Sequence, residues 1–347
     1  MFGLKDLSVL AVAVLLVACG EKKQVATTPT APKAPTATTE NLPLPRPVAP
    51  PPVAPPSGVL TQKAKITTDE ISLWSDEYLF AGWRIQRHFY DSKSRLLDNQ
   101  NYLRALGTYA QVKQAFDYLR WQEKVRPKTR KLALVLHGLA SNPSVWNDMR
   151  IALAKDGWEA RAVTYPTTEQ GVAPNGDVLE NLLRNQEGYG EIAIVAHSLG
   201  GLVTRVALSR PSFDTLPVPV TKVVMLGTPN QGATLAAMLR PVARAAVTAS
   251  ANDLLPERAR QFGTIPAKVQ FGVIAGGRNN SVGYNPLLAG DNDSIVKVSE
   301  TRTSNMDDFI VLPVLHNGMT SDPQVIEAVR LFLKNGSFRT LSAKPVG

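Results

Sequence analysis

Cysteine is almost absent from this chain: its 347 residues include one, Cys19. A lone cysteine closes no internal disulfide, so the fold must rest on its apolar core. Histidine is scarce as well. With four in all, any imidazole chemistry falls to His88, His137, His197 or His316. Acidic residues are outnumbered, 29 against 38 Lys and Arg, and the net charge of +9 favours anionic surfaces such as membrane head groups or nucleic acid. The basic residues are dispersed, however. No basic run is interleaved with aromatics, which argues against nucleic acid as the partner. Long apolar runs are missing too, since the stretch 7–17 is short for a membrane-spanning helix.

What is present at the start is an address. Residues 1–18 carry Lys5 and then the apolar run, and they read as a signal peptide. Leu16-Val17-Ala18-Cys19 resembles the lipobox of bacterial lipoproteins. That resemblance implies cleavage before Cys19, transfer of a diacylglyceryl group to its sulfur, and a membrane anchor made stable by more than one acyl chain. An ordinary signal peptide with an incidental cysteine is the alternative. Residues 19–60 are a Pro-, Ala- and Thr-rich tether with too little apolar content to pack, expected to be disordered or polyproline-II-like. A partner that reads PxxP motifs is a second use for it. The expected localisation is the bacterial cell envelope, at the outer membrane or a periplasm-facing leaflet.

Residues 61–130 read as an N-terminal extension. The stretch 69–79 suits a helix. The stretch 82–89 alternates like a strand, with 95–97 its partner across 91–94. Thr108 and Gln111 have capping-box spacing ahead of the stripe Val112, Ala115, Phe116 and Leu119, which predicts a helix over 108–123. From 131 to 335 strands and helices alternate. The run 132–136 suits a strand buried on both faces. Helix 145–155, strand 160–165, helix 177–184, strand 192–195, strand 223–226, strand 269–275 and a last helix over 324–333 follow. That helix is opened by Asp322-Pro323, a cap and first-turn pair. This order predicts an α/β fold with a mostly parallel sheet and helices on both faces.

The stretch Ile192-Ala193-Ile194-Val195-Ala196-His197-Ser198-Leu199-Gly200-Gly201 reads as strand, sharp turn, helix, with a serine at the tip. It matches the nucleophile elbow G-x-S-x-G except at Ala196, and small residues are required where strand and helix approach closely. A serine hydroxyl is a poor nucleophile without a base in reach. His197 adjoins the serine and is expected to point away. His137 lies where the chain bends at His137-Gly138-Leu139, and His88 reads as a surface or strand residue. That leaves His316, in the loop before the last helix.

From about 130 to 335 the chain resembles α/β-hydrolases of the bacterial triacylglycerol lipase and esterase group. The motifs are His137-Gly138-Leu139, Ala196-His197-Ser198-Leu199-Gly200-Gly201, Leu226-Gly227-Thr228-Pro229-Asn230-Gln231-Gly232, Asp291-Asn292-Asp293-Ser294-Ile295-Val296 and His316-Asn317-Gly318-Met319. Ala in place of the first elbow glycine is a variation known in such lipases. The fold orders its triad serine, acid, histidine. The acidic segment matches the lipase pattern G-x-N-D-G-x-V at Asp293, with Ser294 where the family often has glycine; Asp291 is the alternative. The resemblance implies ester hydrolysis through an acyl-enzyme, with Ser198, Asp293 and His316 catalytic and the Leu139 and Leu199 amides holding the oxyanion. It implies no cofactor and no metal, and a lipid or small-molecule ester as substrate. It also places the hairpin of 82–97 among the antiparallel first strands of the hydrolase sheet. Thioesterases, phospholipases and acyltransferases use the same triad. A catalytically inactive envelope protein that binds lipid or a partner is the reading from another class. Residues 232–260 suggest one or two helices forming a lid over the acyl pocket, with Arg240, Arg244, Arg258 and Arg260 meeting anionic lipid. An ordinary surface helix is the alternative there.

Overall fold

The computed structural model describes residues 51–66, 73–240 and 248–339. The expected signal peptide over 1–18, Cys19 and most of the tether expected over 19–60 lie outside the described residues, as does Arg244. Among the described residues no helix is long and apolar enough to cross a membrane.

The extension is a layer of its own. Strands β1 (Leu60–Lys65), β2 (Trp74–Phe80), β3 (Trp83–His88), β4 (Ser94–Leu97) and β5 (Tyr102–Gly107) pair antiparallel in the order β1-β5-β4-β3-β2. The turn between β2 and β3 places Ala81 and Gly82 at φ +49° and +84°, as a tight hairpin turn of the right twist requires. This corrects two expectations. The stretch 74–79 is strand, not helix, and the hairpin β3–β4 belongs to a separate five-stranded sheet, not to the hydrolase sheet. Helix α1 (Tyr109–Gln122) covers one face of it, starting at the Thr108–Gln111 capping box and burying Val112, Ala115, Phe116 and Leu119. The Phe116 ring packs against Tyr78 at 5.2 Å, Phe80 at 5.8 Å and Trp83 at 6.1 Å. A Phe116→Ala change removes the ring that joins helix to sheet and is expected to cost about 3–5 kcal/mol. In thermal unfolding that loss reads as a midpoint lowered by about 10 °C.

The second layer is a six-stranded sheet of order β11-β10-β9-β8-β6-β7, all parallel. Its members are β6 (Lys131–Leu136), β7 (Glu159–Val163), β8 (Glu191–His197), β9 (Val220–Leu226), β10 (Gln270–Gly276) and β11 (Asp308–Leu312). Side chains alternate between two cores, as the two-residue period of a strand dictates. Leu134, Ile194 and Met225 face one side, under α3 (Val172–Arg184) and α4 (Leu199–Leu208). Val135, Val195 and Val224 face the other, under α2 (Asn147–Lys155) and α5 (Pro323–Asn335). Among the described residues four short helices, Thr234–Leu239, Ala249–Asp253, Pro256–Ala259 and Val298–Thr301, lie between β9 and β11.

The two layers meet at β7, the outer strand on that side. The Asp76 N–H donates to the Thr164 carbonyl at 2.9 Å, and the Thr164 N–H returns a bond to the Asp76 carboxylate at 2.7 Å. Arg84 adds an ion pair to Asp76 at 3.5 Å. Asp76 thereby satisfies both backbone groups of Thr164, the residue that follows β7.

Candidate active site

Strand β8 delivers the chain to Ser198, and α4 begins one residue later. Ser198 sits at φ +53°, ψ −123°, a conformation costly for any residue with a side chain, of order 1–3 kcal/mol. Tight packing holds it there. A Cβ on Gly200 would stand 2.9 Å from the carbonyl oxygens of Leu136 and His137, and one on Gly201 would overlap the Thr228 side chain at 2.1 Å. The Ser198 N–H donates to the Leu226 carbonyl at 2.9 Å, tying the turn to β9. The partial positive end of α4 lies at the serine, which favours negative charge developing beside it.

The structure brings the three expected side chains together. Ser198 Oγ is 3.0 Å from His316 Nε2, and His316 Nδ1 is 2.7 Å from Asp293 Oδ2. Asp293 is fully buried and His316 nearly so. A carboxylate accepts, so Nδ1 carries the hydrogen and the Nε2 lone pair faces the serine. The second oxygen of Asp293 accepts from the N–H groups of Ile295 at 3.0 Å and Val296 at 2.7 Å. Asp291 is elsewhere: its carboxylate accepts from the N–H groups of Arg278, Asn279 and Asn292 and shapes the loop after β10. Ser294 stands at φ +90°, the left-handed region where glycine is at ease, which gives physical content to the departure from the lipase pattern there. The Leu139 segment passes against Ser198, since a Cβ on Gly138 would lie 3.1 Å from its Cβ and 3.6 Å from its Oγ. Leu199 is the first residue of α4.

Some residues that touch the site had been given no role there by the sequence. Gly227, at φ +56°, lies over the Asp293–His316 bond: a Cβ there would sit 3.0 Å from Asp293 Oδ2 and 3.1 Å from His316 Nδ1. Tyr165 stacks on His137 with centroids 4.5 Å apart, and its hydroxyl donates to the His137 carbonyl. His197 does not point away, as the sequence suggested. Its Nε2 lies 3.0 Å from the His316 carbonyl, and the two rings are 4.7 Å apart. His88, by contrast, ends β3 beside Asp91.

The helix Thr234–Leu239 buries no residue fully, and Met238 is about half exposed. Arg240 pairs with Glu257 at 3.5 Å and Arg258 with Asp253 at 3.8 Å. A cleft of about 1280 Å³ runs between the extension and the start of β7, lined by Asp98, Arg104, Arg150 and Arg161 among others, and contains none of the three central side chains. Among the described residues no group of three or more His, Cys, Asp or Glu is placed to hold a metal ion.

Burial pushes His137 down to about 4, below the ordinary imidazole value of 6.5. Between those values an unfolded chain takes up the proton that the folded one refuses. Stability is therefore full above pH 6.5 and falls as pH drops through the window towards 4, by roughly 3 kcal/mol for this group. His197, held low mainly by burial, adds in the same direction. Melting curves from pH 7.5 to 4 should show the decline, and His137→Asn should flatten it.

The parallel sheet with its serine elbow is the α/β-hydrolase fold. The chain is similar in structure to the Bacillus licheniformis lipase BlEst2. Against its propeptide form the TM-score is 0.50 at 20% identity, covering 64% of this chain and 53% of that one. Against the mature form it is 0.49 at 19% identity, covering 60% and 93%. Aspergillus fumigatus lipase B gives 0.44 at 15% identity, covering 60% and 54%. At 20% identity the likeness to the propeptide form, with its TM-score of 0.50, bears on the fold alone. A family model described as a domain of unknown function (DUF7379) matches residues 103–271. No curated protein matches the sequence.

Proposed function

We propose that this protein is a serine hydrolase of carboxylic esters, lipid esters in particular, held at the bacterial cell envelope through a lipidated Cys19. The observation that carries the reading is the continuous chain of hydrogen bonds from Ser198 through His316 to Asp293, with the serine on a strained turn at a helix start. His316 Nε2 takes the serine proton as Oγ attacks the ester carbonyl. Asp293 holds the imidazole in the required tautomer and stabilises the imidazolium. The Leu139 and Leu199 amides receive the oxyanion, the kind of contact worth ~10²–10³ in rate per donor. His316 then protonates the departing alkoxide, leaving an acyl group on Ser198. Water, deprotonated by the same Nε2, releases the acid. The helical segments of 232–260 serve as the lid over the acyl chain.

The test is labelling of the full chain by a fluorophosphonate probe, lost in Ser198→Ala. It is joined to a substrate profile over p-nitrophenyl esters, triacylglycerols, phospholipids and acyl-thioesters. Hydrolysis confined to thioesters or phospholipids would move the assignment to those classes. A well-folded protein that neither labels nor turns over any of them would leave only the lipid-binding reading.

A further inference from the structure

His197 is a buried titratable residue for which the reaction above has no use, yet it touches the machinery directly. It is the last residue of β8 and lies against Ser198 in the chain. Its Nε2 is 3.0 Å from the main-chain carbonyl of His316, a bond between residues 119 apart in sequence. A carbonyl can only accept, so His197 must carry its hydrogen on Nε2. The same carbonyl receives only a longer contact from the Met319 N–H, 3.4 Å. On the other side of the residue, the His316 N–H donates to the Asp293 carbonyl at 2.9 Å. The main chain of His316 is thus gripped at both ends of the residue, once by the acid and once by the residue before the nucleophile.

We propose that His197 is a positioning residue, whose Nε2–H bond to the His316 carbonyl sets the distance from the His316 imidazole to Ser198 Oγ. The inference rests on the reading of Ser198 and His316 as nucleophile and base. The charge state of His197 is consistent with it. Burial, with the neighbouring His316 and His137 imidazoles adding, holds His197 well below the usual range. It therefore stays neutral, with its proton on the bonding nitrogen, while the ring 4.7 Å away becomes an imidazolium. A misplacement of about 1 Å in a reacting group is enough to cost ~10²-fold.

The experiment compares His197→Phe, which keeps a ring but loses the donor, with His197→Gln, whose amide nitrogen lies at a similar reach. In the full chain the phenylalanine variant should lower kcat roughly 10- to 100-fold with KM unchanged, and slow fluorophosphonate labelling in parallel. The glutamine variant should recover to within a few-fold of the parent. If the phenylalanine variant does not fold, His197→Asn, one carbon short of the carbonyl, replaces it with the same expected loss. Full kcat without a donor overturns the proposal. So does equal impairment of Phe and Gln variants with a raised KM, which marks His197 as packing alone. Failure of the underlying reading is separately visible, because Ser198→Ala would then still label and turn over.

Discussion

Alanine at position 198 is expected to lower kcat for ester hydrolysis by roughly 10⁶-fold, with the fold intact. The size of the effect comes from what the proposed mechanism would lose: the Oγ that forms the acyl-enzyme. The Oγ is bonded to His316 Nε2 at 3.0 Å, and its removal breaks that one contact. The strained φ of +53° is already imposed on a residue with a Cβ, so alanine adds no new strain. Residual catalysis would come from the oxyanion donors and substrate positioning, which in such enzymes still exceed water. Steady-state kinetics beside a thermal melt separate lost chemistry from lost fold. A fall of less than a hundredfold would mean that the acyl group is carried elsewhere.

Asp293→Asn is expected to be nearly as severe, lowering kcat by ~10⁴-fold. Here the geometry dictates the outcome. One carboxylate oxygen accepts two backbone N–H groups, from Ile295 and Val296, and the other accepts from His316. An asparagine must give its amide oxygen to the two backbone donors, because its NH₂ cannot accept. The NH₂ is then forced towards His316 Nδ1, which must accept it and move its hydrogen to Nε2. With that nitrogen occupied, the imidazole cannot take the serine proton. The variant should fold normally and bind substrate with an unchanged KM. An asparagine variant with near-full kcat would mean that another group orients the imidazole.

The parallel sheet is legible in the sequence because its central strands are short apolar runs buried on both faces, closed by His-Gly, Ser or Gly. The three side chains that meet, Ser198, His316 and Asp293, are legible because their local patterns are continuous in sequence. What is hidden depends on distant residues. The strand over 74–80 reads badly because its third residue, Asp76, is fully buried to bond Thr164, Gln86 and Arg84, which breaks the alternation. Helix α3 starts at Val172, earlier than 177, without a side-chain cap of its own. Its first N–H is met at 2.8 Å by Asp253, 81 positions away. No local rule announces a cap supplied from that distance. His197 is misread for the same reason: its partner is a carbonyl 119 residues further on.

The double grip on His316 has a mechanical consequence. Asp293 and His316 share both a side-chain and a main-chain bond, so they form one piece of the site. Ser198 and His197 form the other piece, built on β8 and α4. A site of three side chains thus has, to first order, one soft coordinate: the gap between the two pieces. Substitutions anywhere in the domain should tune the rate chiefly through that single gap, and two that shift it in opposite senses should compensate one another.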